Sequence, residues 1–120
     1  MSLVDRVSQA ALGIPFIWLG YQAAAEPGGR VNAVAKSGLP QPETLVRVNG
    51  AAMALGGAAL AANILLRAAA TGLIASLVPT TLVGHAFWRF EDPQARAAQR
   101  TQFLKNAALV GGLLAVAARR

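Results

Sequence analysis

The chain carries a single histidine, His85, and it falls where ordinary anchoring does not explain it. A histidine exchanges a proton near neutral pH, and its two ring nitrogens make it both donor and acceptor. Helical spacing puts Thr81, Trp88 and Arg89 on the face that His85 occupies. Three other pairs of polar residues stand beside long apolar runs: Tyr21 with Gln22, Arg47 with Asn49, and Lys105 with Asn106. Together these side chains offer a set of hydrogen-bond donors around one titratable ring. Other chemistries are poorly supplied. There is no cysteine, so thiolate metal sites, disulfides and cysteine nucleophiles are excluded within the chain. One histidine and five scattered carboxylates do not make a self-contained metal site.

The surrounding elements decide whether these residues can meet. Only 13% of the 120 residues are charged and 55% are apolar. Soluble domains carry about 25% charged residues, and a short chain must cover a large surface relative to its volume. This composition fits a lipid environment. Four apolar runs are each long enough to cross a hydrocarbon core of ~30 Å. They extend from about Val7 to Ala25, Thr44 to Leu66, Ala68 to Trp88 and Thr101 to Ala118. The expected fold is therefore all-α, a single-domain integral membrane bundle of four helices in a cell membrane. Ala23-Ala24-Ala25 has the look of a signal-peptidase site, but Asp5 beside Arg6 is unlike a signal-peptide start.

The breakers Pro27, Gly28, Gly29, Gly38, Pro40 and Pro42 mark the first connection, with a short interfacial helix expected from Arg30 to Lys36. The second connection, at Arg67, is short, so its helices are antiparallel neighbours. Residues 89–100 read as a polar connection, and Arg119-Arg120 closes the fourth span. Pro79 predicts a kink in the third, with Thr80 and Thr81 available to freed backbone groups. Helices in a bilayer associate through small residues. The spacing Gly72, Ser76, Thr80, Gly84 predicts a packing stripe, with further stripes at Gly50, Ala54, Ala58, Ala62 and at Ala107, Gly111, Ala115.

Four crossings bring distant polar groups to one membrane side. The end of span one, the start of two, the end of three and the start of four share that side. The spacing thus predicts a pocket at one membrane face, bounded by His85, Trp88, Arg47 and Lys105, with Asn49, Asn106 and Tyr21 nearby. Anchoring roles stay open for each residue beside it. Arginine and lysine can snorkel to phosphates, tryptophan and tyrosine can anchor at the interface, and asparagine can bond helices together. The net charge of +6 fits arginines at helix ends against anionic headgroups and does not call for nucleic acid. Seven lysines and arginines lie on the loop side and four on the side of the termini. The net charge is the same on both, which leaves orientation open.

The run Val78-Pro79-Thr80-Thr81-Leu82-Val83-Gly84-His85-Ala86-Phe87-Trp88 resembles the DoxX family, in which a proline-threonine pair leads into a glycine-histidine-x-phenylalanine-tryptophan end. Asp92-Pro93, Phe103-Leu104-Lys105-Asn106 and Gly111-Gly112-Leu113-Leu114 continue the likeness. Upstream, Gly20-Tyr21, Leu39-Pro40, Arg47-Val48-Asn49-Gly50 and Gly56-Gly57 fit as well. The family's charged residue after the first-span glycine is replaced here by Gln22 and alanines. The resemblance implies a four-helix membrane subunit linked to quinone-dependent oxidation or to oxidative and thiol stress. It points to quinone as the ligand, with no intrinsic cofactor. The chain would contribute to an oxidoreductase as an accessory subunit, together with other protein subunits or further copies of itself. Two other functions are consistent with the sequence: a non-catalytic membrane scaffold or assembly protein, and a small transporter or lipid-binding protein.

Overall fold

The first helix begins on a reciprocal cap. Ser2 Oγ accepts from the Asp5 amide at 3.1 Å, and the Asp5 carboxylate accepts from the Ser2 amide at 3.1 Å. That box satisfies two of the end donors a helix cannot pair internally. In the computed structural model, which describes residues 1–119, α1 therefore runs Leu3–Ala25, four residues earlier than its apolar run. Glu26, Pro27 and Gly28 turn the chain into a short α2, Gly29–Lys36. Pro42 opens α3, Pro42–Ala61, and α4 follows as Leu66–Gly84. A single 3-10 turn, Phe87–Arg89, leads into α5, Pro93–Ala117. Arg120, expected to close the last span with Arg119, lies outside the described residues.

Three further boundaries differ from expectation. The second span ends at Ala61, five residues early. The turn that follows places Asn63 and Leu65 in the left-handed region, at φ 64° and 48°. Asparagine tolerates that conformation and leucine does not favour it, and the apolar run hid the turn. The third span ends at Gly84, so His85 is the residue just beyond the helix and not one turn inside it. α5 starts eight residues before Thr101. Its side-chain cap is Asp92, which accepts from the Ala95 amide at 3.0 Å, and Pro93 occupies the first turn, where it loses no bond. Of the expected polar connection, residues 93–100 are two turns of helix.

α1 and α3 form the tightest pair. Along α1 the buried residues are Gln9, Gly13, Phe16, Gly20 and Ala23. Along α3 they are Val46, Gly50, Met53, Gly57 and Leu60. Both sets alternate steps of four and three, which keeps a seam in register along a left-handed pair. The glycines face each other in antiparallel register. A Cβ on Gly13 would lie 2.5 Å from the Gly57 carbonyl oxygen, and one on Gly20 would lie 2.5 Å from that of Gly50. The two backbones touch directly.

The stripe expected to pack helices behaves differently. Gly72 and Gly84 have nothing within 4 Å of a Cβ position, and only Ser76 and Thr80 reach another helix of the chain. Steps of four on a helix of 3.6 residues per turn drift by about 40° each. Over three steps the row leaves the contact, whereas alternating fours and threes do not. Likewise Ala58 and Ala62, and Ala107, Gly111 and Ala115, are exposed.

The chain order α1, α3, α4, α5 is also the order of contact. Near the termini the four helices share an apolar core of Phe16, Leu60, Leu73 and Leu113, all at most 2% exposed. Arg67 Nε donates to the Ala117 carbonyl at 3.0 Å and fastens α4 to the end of α5. Outward, Ile14, Trp18, Leu55, Leu82, Leu104 and Leu114 are exposed on all four long helices. Continuous exposed apolar surface of this kind belongs against lipid. Pro42–Ala61 and Leu66–Arg89 are long and apolar enough to cross a membrane, with mean hydropathies of 1.3 and 1.4. α1 and α5 are as long but carry polar residues at one end.

Candidate functional site

The loop-side half of α4 is where polar side chains gather. Pro79 removes one backbone donor, yet the helix runs through it unbroken. Thr80 Oγ1 donates to the Ser76 carbonyl and Thr81 Oγ1 to the Leu77 carbonyl, each at 2.7 Å. These are neighbours of the Ala75 carbonyl, which the proline itself leaves without a helical partner.

From there α4 bonds to helices on both sides. Toward α3, Ser76 Oγ donates to Asn49 Oδ1 at 2.7 Å, and Asn49 Nδ2 donates to Thr80 Oγ1 at 3.0 Å. Toward α5, Asn106 Nδ2 donates to Thr81 Oγ1 at 3.0 Å. Just past the helix, His85 Nδ1 lies 2.7 Å from Gln99 Oε1. With that oxygen as acceptor, Nδ1 carries the proton, and Nε2 of the neutral ring keeps its lone pair.

The face that α5 turns to α4 is Gln99, Phe103, Asn106 and Val110, at spacings of four, three and four. A cleft of about 230 Å³ lies there, walled by Val78, Thr81 and Leu82 from α4 and Phe103, Asn106 and Val110 from α5. Above it Phe87, Trp88 and Phe103 pack edge to face, with ring centroids 5.3 to 5.9 Å apart. The cleft is smaller than the ~300–1,000 Å³ of drug-sized pockets. It admits one ring or a short stretch of chain, with the remainder in lipid. Asn106 supplies a carbonyl oxygen and a second amide proton beyond its bond to Thr81.

The residues expected to bound one pocket are divided. His85, Trp88 and Asn106 stand along the α4–α5 interface. Asn49 faces the other side of α4. Arg47 is taken up elsewhere: Nη1 donates to the Ala24 carbonyl at 2.7 Å, capping the end of α1, and Nη2 pairs with Glu43 at 3.0 Å. A residue near the start of α3 meets the end of α1 because the glycine seam joins those helices. Lys105, one position before Asn106, is turned about 100° away and exposed. Tyr21 is exposed on α1. Gln99, Phe87 and Phe103 were missed. The Asp92-Pro93 cap extends α5 far enough to include Gln99, and the four-three-four spacing to Asn106 then places it.

Comparison with curated proteins and with solved structures finds no match to either. Comparison with protein-family models matches DoxX over residues 8–86, from the second turn of α1 through the residue after His85. That match spans the glycine seam, Asn49, the Pro79 segment and His85 in one stretch, and with it the chain belongs to DoxX, a family of integral membrane proteins.

Proposed function

We propose that this protein is a membrane subunit of a redox-associated complex and seats a quinone ring in the α4–α5 cleft. The observation that carries this reading is the cleft itself. It joins apolar walls and a cluster of three aromatic rings to an amide, Asn106, that has unspent donor and acceptor capacity. A quinone needs an amide or similar donor for its carbonyl oxygen, a flat apolar surface for its ring and an exit to lipid for its tail. Asn106 and Phe103 are matched to the first two. His85 stands two helical turns from Asn106, about 10 Å along α5 through its partner Gln99. Its Nε2 lone pair suits it to take a proton as a quinol is oxidised. With no cysteine and one histidine, the chain has no carrier for the two electrons a quinol releases, which would pass to another subunit.

The test is purification in mild detergent followed by mass spectrometry of bound quinone. Wild-type protein retains quinone. Asn106→Leu, which keeps the volume and removes the amide, loses about tenfold, the effect of a site left without its hydrogen bond. Retention of bulk phospholipid alone by the wild type, or quinone unchanged in both Asn106→Leu and His85→Gln, refutes the proposal.

A non-catalytic assembly subunit is the second reading. It is favoured by the number of polar groups already engaged within the chain, Arg47 and Asn49 above all. A complex that assembles and works equally well with His85→Ala would support it.

A further inference from the structure

At the opposite membrane face, α1 and α5 part company. α1 follows the glycine seam to α3, and α5 is fastened to α4. The groove left between them holds about 420 Å³. Ser8, Ala11 and Leu12 line it from α1, Gly112 and Ala115 from α5, and Arg119 from the residues just past the end of α5. Its width comes from the small residues on both walls. Ser8, the one hydroxyl in that wall, donates to the Val4 carbonyl at 2.7 Å, so its proton is not available to a ligand. An open groove with mostly apolar walls suits a hydrocarbon chain better than water.

Charge sets the mouth apart from the groove. Arg119 lies there, with Nη2 3.5 Å from Asp5 and its side chain 37% exposed. A guanidinium has five donors, and this contact uses only part of the fork. Arg6 and Arg67 stand at the same face of the bundle. Asp5 is the only carboxylate side chain there, since Glu26, Glu43, Glu91 and Asp92 all belong to the loop side. From Arg119 to Gly112 the groove descends seven residues, about 10 Å. The sequence is thus a cation at headgroup depth above an apolar slot.

We infer that the α1–α5 groove binds an anionic phospholipid, with an acyl chain along Ala11, Gly112 and Ala115 and the phosphate on Arg119. The site differs from the α4–α5 cleft in position and in ligand charge, and stands without it. Basic residues near a membrane surface attract anionic lipid electrostatically, and the slot beneath adds shape.

Native mass spectrometry of the full chain in mild detergent tests this, using equimolar phosphatidylglycerol and phosphatidylcholine with identical acyl chains. Wild-type protein retains phosphatidylglycerol about fivefold over phosphatidylcholine, the advantage of one basic contact at the surface. Arg119→Gln brings the ratio close to one. Ala115→Leu and Ala11→Leu, at exposed positions where a larger side chain enters the groove, lower retention of both lipids. Equal retention of the two lipids by the wild type overturns the inference. So does a wild-type pattern preserved in Arg119→Gln and in both groove-filling variants. Dimers in place of lipid adducts also overturn it, and assign the groove to a second copy.

Discussion

Gly20→Ala tests the seam on which the bundle is built. The new Cβ would lie 2.5 Å from the Gly50 carbonyl oxygen and 2.6 Å from the Ala54 amide nitrogen, both backbone atoms that no rotamer change can move. Ordinary contact begins at 3.4 Å. α1 and α3 must therefore part by about 0.9 Å, and a gap of that order forfeits a quarter to a half of each dispersion contact it opens. Overpacking costs about 1–3 kcal/mol. Replacing a helical glycine by alanine returns about 0.5–1 kcal/mol. The net expectation by these two terms is a loss of about 0–2.5 kcal/mol, centred a little above 1. Gly72→Ala and Gly111→Ala make the same chemical change where nothing lies within 4 Å, and should be neutral or slightly stabilising. Unfolding in mixed micelles, followed by helical circular dichroism against the fraction of denaturing detergent, compares the three variants. Gly50→Ala meets the same contact from the other side, at 2.7 Å from the Gly20 carbonyl oxygen. The double variant should cost less than the sum of the singles, because the first already parts the helices. If Gly20→Ala is as stable as Gly72→Ala, the backbone contact does not hold the bundle and the reasoning fails.

Two further outcomes follow from particular contacts. Asn49→Leu removes both bonds to α4 and should lower stability by about 0.6–2 kcal/mol, the range for side-chain hydrogen bonds between membrane helices; adding Ser76→Ala to it should cost little more, and full additivity in the same unfolding assay would show that the pair does not act as a unit. At Asp5, which precedes the apolar run of α1, hydrogen bonds from the Ser2 side chain and backbone hold the carboxyl below its usual 3.8, with Arg119 adding to the effect. A carboxyl lowered by folding stabilises fully above its unfolded value and loses that contribution as pH falls through its folded one. Wild-type protein should therefore weaken below about pH 4 in a way that Asp5→Asn does not, and superimposable pH profiles of the two would refute the cap's contribution.

The number of long helices was legible because hydropathy reports it directly. Their ends were less so, and each miss has a local cause. Asp92-Pro93 is a cap followed by a first-turn proline, but the polar turns behind it carry Arg96 and Arg100 and read as a loop. The turn through Asn63 and Leu65 is embedded in apolar sequence, so no drop in hydropathy marks it. The side of the membrane was legible too: His85, Trp88 and Arg47 lie at loop-side ends, and Asn106, midway along α5, meets the loop-side half of α4 at Thr81. Which of them meet was not, because depth fixes height along the membrane normal and leaves rotation about each helix free. Arg47 and Asn49 differ by two residues, about 200° around α3, and so Arg47 reaches α1 while Asn49 reaches α4.

The rotation that sequence left undetermined is set by the two kinds of contact the bundle uses. Between α1 and α3 it is shape, and where glycine meets glycine the touching backbones leave no room for a ligand. Between α4 and its neighbours it is hydrogen bonding through Asn49, Asn106 and Gln99, which tolerates space around each bond. Two clefts lie away from the glycine seam, one beside Asn106 toward the loop face and one beside Arg119 at the other. A substitution that tightened α4 against α5, such as Ala107→Leu at the cleft wall, would thus compete with a ligand there while leaving the glycine seam and its stability intact. The same residue change at Gly57, where a Cβ would lie 2.6 Å from the Gly13 carbonyl oxygen, would break the fold first. That contrast separates the part of the molecule that holds its shape from the part that has room to bind.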